Sequence, residues 1–65
     1  MSQIKRTVVA SGIIGEYNHE WEIHKLYDEK YDSECYNLYI NKDYVDCYPS
    51  VAKALVVLVE NFKEQ

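Results

Sequence analysis

Hydrophobic and polar positions alternate with a period of two through most of this chain and change to a helical spacing after Pro49. In Tyr36-Asn37-Leu38-Tyr39-Ile40, residues Tyr36, Leu38 and Ile40 fall on one side and Asn37 and Tyr39 on the other, as a half-buried strand requires. Tyr44-Val45-Asp46-Cys47-Tyr48 repeats the alternation, so Leu38, Ile40, Val45 and Cys47 are expected to share a buried face. Asn41-Lys42 between them suits a two-residue type I′ turn, because asparagine tolerates a positive φ better than most residues. A turn at Lys42-Asp43 leaves the same residues on that face.

Upstream, Ile4 to Ala10 reads as an opening strand in which Ile4, Val8 and Ala10 alternate with Lys5, Thr7 and Val9. Gly12 is the expected site of a bulge or an end, with Ile13 and Ile14 leading to a turn around Gly15 to Asn18. A second strand is expected from about Glu20 to Tyr27, where Trp21, Ile23 and Tyr27 alternate with Glu20, Glu22 and His24. Asp28 to Ser33 is too polar to bury and predicts a loop.

Beyond Pro49, Ser50 is placed to cap a helix over Val51 to Phe62. Val56-Val57-Leu58-Val59 alone would also suit a buried strand. The length of the segment, Ala52 and Ala54, and the polar return at Lys53, Glu60 and Glu64 favour a helix. The predicted fold is therefore α+β: an antiparallel β-meander of three to four strands packed against one C-terminal α-helix, in a single domain spanning residues 1–65.

On that helix the apolar residues cover an arc of roughly 200°, more than one sheet needs. Val51, Leu55, Leu58 and Phe62 can face the sheet, which leaves Ala52, Val56 and Val59 as an apolar flank and predicts a homodimer through it. A 65-residue core lies near the lower practical limit, which also favours association.

Composition adds that the chain folds: it is 48% hydrophobic with seven tyrosines. Charge is concentrated. From Glu16 to Asp46 nine acidic residues stand against three lysines, a net of −6 within a whole-chain charge of −4. Such a field disfavours nucleic acid and favours a protein partner with a basic surface. The start, Met1-Ser2-Gln3-Ile4-Lys5-Arg6, has no signal-peptide core, and the C-terminal apolar run is too short to span a bilayer, so a cytoplasmic location without membrane association is expected. Cys35 and Cys47 are expected to point to opposite faces and to remain free thiols, as suits a reducing compartment.

Little catalytic chemistry is legible. His19, His24, Cys35 and Cys47 are metal-ligand types without the paired spacing of a zinc site. Cys47 reads as a small core residue and Cys35 as a strand-edge thiol rather than as nucleophiles served by His24. Glu20, Glu22 and His24 share a strand face, but acid–base work also needs a sheltered pocket. Phosphate loops, nucleophile elbows and metalloprotease helices are missing. A protein that is not an enzyme and needs no cofactor is expected. The tyrosines carry more. Tyr39, Tyr44 and, by the same alternation, Tyr48 share the outer face of the last hairpin with Asn37 and Asp46. Cross-strand packing explains such a face, and so does a binding surface, since tyrosine gives large contact area with few rotors to freeze. The candidate partner-binding residues are Tyr39, Tyr44 and Asp46, with Glu20 and Glu22 if the second strand lies beside them.

The segment Tyr36-Asn37-Leu38-Tyr39-Ile40-Asn41-Lys42-Asp43-Tyr44-Val45, followed by Tyr48-Pro49-Ser50 and an alanine-containing helix start, resembles a pattern in small accessory proteins of phages and prophages. It covers less than half of the chain and assigns no residue a role. The resemblance implies a compact, non-enzymatic protein that binds and modulates a host or phage factor, with an inhibitor as one form. Two other readings stand beside it: a small regulatory nucleic-acid-binding dimer using Lys5, Arg6 and Lys53, and a structural assembly subunit using the helix flank.

Overall fold

The computed structural model describes residues 4–63. Four strands, β1 (Ile4–Ile14), β2 (His19–Asp28), β3 (Ser33–Ile40) and β4 (Asp43–Tyr48), are followed by one helix, α1 (Val51–Phe62). The strands form one antiparallel sheet in the order β1-β2-β3-β4, and the helix packs on one face of it. This is the α+β meander that the alternation and the Pro49-Ser50 punctuation predict. Glu64, read above as part of the polar helix face, lies outside the described residues, as do Met1 to Gln3.

Local chemistry explains each corner. Asn41 and Lys42 have φ of 52° and 70°, the two positive values a type I′ hairpin turn demands. Gly15 at φ 85° and Asn18 at φ 55° turn β1 into β2, with the Asn18 amide donating to the Gly15 carbonyl at 3.2 Å. Between β2 and β3 Asp32 takes a φ of 49°, and the Asp28 carboxylate accepts from the Lys30 amide at 3.0 Å. Ser50 caps α1 by accepting from the Lys53 amide at 3.1 Å.

Ile23, Leu38, Ala54 and Leu58 form the buried centre, with Ala10, Ile14, Trp21, Tyr36, Ile40, Tyr48, Val51, Leu55 and Phe62 packed around it. Of the four sequence-derived helix contacts, Val51, Leu55 and Phe62 are in that shell and Leu58 is in the centre itself. Ala54 joins them because its small side chain lets the helix backbone approach Ile23 and Leu38 closely. The helix C-terminal end seats Phe62 against the His19 ring, with centroids 5.0 Å apart. Asn41 fixes the same corner: its amide nitrogen donates to His19 Nδ1 at 2.8 Å, its side-chain oxygen accepts from the Glu20 amide at 3.0 Å, and its backbone amide donates to the Glu20 carbonyl at 2.6 Å.

Two bulges correct the face assignments. In β1 the register shifts between Val8 and Ala10, so Val8 lies opposite His24 while Ala10 lies opposite Ile23. Val8 and Ala10 therefore occupy different faces, and Val9, rather than Gly12, is the extra residue. In β4 the register shifts between the pairs Tyr39↔Tyr44 and Leu38↔Asp46, with Val45 as the extra residue. Beyond it parity reverses: Tyr48 pairs with Tyr36 on the helix face, and Cys47 pairs with Asn37 on the other. Cys47 is exposed rather than a core residue, and it shares its face with Cys35. A two-residue period has no means of showing an inserted residue, so every assignment past a bulge inverts.

Candidate functional site

α1 covers one face of the sheet, and among the described residues the other face has no second layer. By register, the uncovered face carries Ser11, Glu22, Tyr39 and Tyr44 in one cross-strand row and Val8, His24, Asn37 and Cys47 in the next. Glu20 stands at one end opposite Ile13, and Leu26 and Cys35 face each other toward the other end.

The centre of this face is aromatic. The Tyr39 ring lies 4.5 Å from the His24 ring at 40°, and 5.8 Å from Tyr44 in an edge-on arrangement. His24 donates from Nε2 to Glu22 Oε1 at 2.9 Å, while its Nδ1 is buried and has no hydrogen-bond partner among the described residues. Its side chain is only 13% exposed although no layer covers the sheet there. Tyr39 and its neighbours thus already exclude water from the middle of the face. Partial burial pushes the Tyr44 phenol above its ordinary value, and the neighbouring Cys47 and Asp46 push it further. The phenol stays neutral at physiological pH and offers a donor at the end of an apolar ring.

Of the five residues expected to bind a partner, four come together. Glu22, Tyr39 and Tyr44 share one row, with Glu20 beside it on β2. Asp46 does not join them by face. The bulge at Val45 pairs it with Leu38, and its carboxylate accepts from the Cys47 backbone amide at 2.8 Å. It remains near enough to bear on Tyr44 through charge alone. The contribution of His24 was half legible: its parity with Glu20 and Glu22 places it on this face, but its contact with Tyr39 depends on cross-strand register. Ala52, Val56 and Val59 lie elsewhere, exposed along the side of α1 that faces away from the sheet.

The basic residues do not assemble. Lys5 is paired with Glu29 at 2.6 Å, which holds its ammonium above the ordinary value first through the hydrogen bond and then through charge. Arg6 registers opposite Leu26 on the uncovered face, Lys5 opposite Tyr27 on the other, and Lys53 is on the helix. Two shallow depressions, of about 220 Å³ by Leu26, Ser33 and Cys35 and about 260 Å³ by Gly12, Glu20 and Trp21, flank the aromatic centre without enclosing it. Among the described residues, no three histidine, cysteine or carboxylate side chains converge to hold a metal ion, and no helix is long and apolar enough to cross a membrane. The chain matches no family model, no curated protein and no solved structure.

Proposed function

We propose that this chain is a small non-enzymatic binding module that occupies a basic site on a protein partner, as an inhibitor or modulator of the phage-accessory kind would. The observation that carries the reading is the uncovered sheet face, where Tyr39 and Tyr44 form an aromatic contact bordered by Glu20 and Glu22. Aromatic area supplies contact energy. The acidic middle of the chain accelerates encounter with a cationic surface and makes association weaken as salt shortens the Debye length. Tyr39→Ala and Tyr44→Ala are each expected to reduce affinity for a captured partner about tenfold or more while leaving thermal unfolding within a few degrees of the parent. Normal capture by both variants, or loss of capture only with loss of the fold, refutes the site.

The helix flank supports a second surface. Val56 and Val59 are 54% and 55% exposed, and Ala52 beside them is exposed too. We place a homodimer contact there, which leaves the sheet face free for the partner and also serves an assembly role. Val59→Lys is expected to shift the mass measured by light scattering to that of a monomer with the circular dichroism spectrum preserved. A parent protein that is monomeric from micromolar to millimolar concentration rejects the contact.

A further inference from the structure

Cys35 and Cys47 are brought together by the bulge that sequence alternation misses. Asn37 lies directly opposite Cys47, and Cys35 is the next residue along β3 on the same uncovered face. The Cys35 side chain leans that way: its Sγ lies 3.9 Å from Asn37 Oδ1, the side chain directly across from Cys47. Burial pushes the Cys35 thiol above its ordinary value, and the nearby Cys47 raises it further. The two sulfurs are therefore diagonal neighbours, one half-buried and one exposed.

We propose that Cys35 and Cys47 form a cross-strand dithiol that exchanges with low-molecular-weight disulfides and closes into an intramolecular disulfide joining β3 to β4. Cys47, the exposed thiol, reacts first. Its thiolate attacks one sulfur of the small disulfide and expels one small thiolate, leaving a mixed disulfide on Cys47. Cys35, kept protonated until then, gives its proton to solvent. Its sulfur attacks Cys47 Sγ and expels the second small thiolate. Two protein thiols lose two electrons and one small disulfide gains them, becoming two thiols.

The fold allows closure at small cost in movement. Diagonal Cα atoms of a flat ladder lie about 7–8 Å apart, just beyond the roughly 6.8 Å reach of a disulfide. The bulge at Val45 adds twist at this point, and β4 is an edge strand with one neighbour, exposed over most of its length and ended by Pro49. A displacement on the order of 1 Å is enough. Because Cys47 neighbours Tyr44, closure also alters the face proposed above as the binding surface; that consequence rests on the proposed function, whereas the dithiol does not.

The test is to expose the reduced, folded full chain to oxidised glutathione and follow its intact mass. A monomer lighter by two hydrogens, with both thiols lost, is expected to accumulate about tenfold or more faster than in denaturant. Cys35→Ser is expected to stop at one glutathione adduct on Cys47. Adducts that persist on both cysteines of the folded parent, disulfide-linked dimers as the main product, or closure no faster than in denaturant overturn the proposal. Since mass reports closure and not partner binding, the two proposals fail separately.

Discussion

Replacing Leu38 with alanine is expected to leave most of the protein unfolded at room temperature. Leu38 is fully buried at the middle of β3, registers with Ile23 across the ladder, and lies in the same buried cluster as Ala54 and Leu58. Truncating a buried leucine removes its transfer free energy and leaves a cavity, about 2–5 kcal/mol together. A single core in a chain this short rarely supplies more than about 3–5 kcal/mol in all. The loss is comparable to the whole. Helical and extended signals in the far-ultraviolet circular dichroism should fall together, since among the described residues four make the buried centre that both layers share. Tyr31→Ala, in the exposed connection between β2 and β3 and 69% exposed, is the control and should stay within about 0.5 kcal/mol of the parent. Retained cooperative unfolding near the parent midpoint in Leu38→Ala would mean that the sheet does not depend on this centre.

Gly12→Val carries the second large effect. A Cβ on Gly12 falls 2.9 Å from Trp21 Cζ2 and 3.0 Å from Cε2 and Nε1, so the indole lies directly across the glycine. Valine favours a strand, and the backbone here is free of positive φ. The gain is smaller than the cost of driving the indole from its packed position, about 1–3 kcal/mol, or a midpoint lowered by roughly 5–20 °C. Trp21 is the only tryptophan, so its emission reports the displacement directly. An unchanged spectrum with an unchanged midpoint would show that the indole moves aside freely.

The same residue explains what was legible in the sequence. Element types and the helix register were readable because they depend on local chemistry: Ser50 has a hydroxyl where a cap needs an acceptor, and Asn41 tolerates the positive φ its turn imposes. Gly12 drew the expected irregularity of β1 to itself, yet its role is to admit the Trp21 ring. The bulges fall at Val9 and Val45, β-branched residues that read as ordinary strand positions. Tyr39 and Tyr44 escaped the resulting inversion because both lie on the turn side of the β4 bulge. Asp46, Cys47 and Tyr48 lie beyond it and were assigned to the wrong faces. Cross-strand contacts such as His24 on Tyr39 need the register as well as the alternation, and only the folded sheet supplies it.

The central claim, that the aromatic and acidic sheet face receives a basic partner, is tested most directly by titrating isotope-labelled protein with an arginine-rich peptide and following its amide resonances. The account predicts saturable shifts at Glu20, Glu22, Tyr39 and Tyr44 that weaken as salt is raised and fade in Tyr39→Ala. Shifts centred on Ala52, Val56 and Val59, or shifts at the sheet face that are indifferent to salt and to Tyr39, would contradict it.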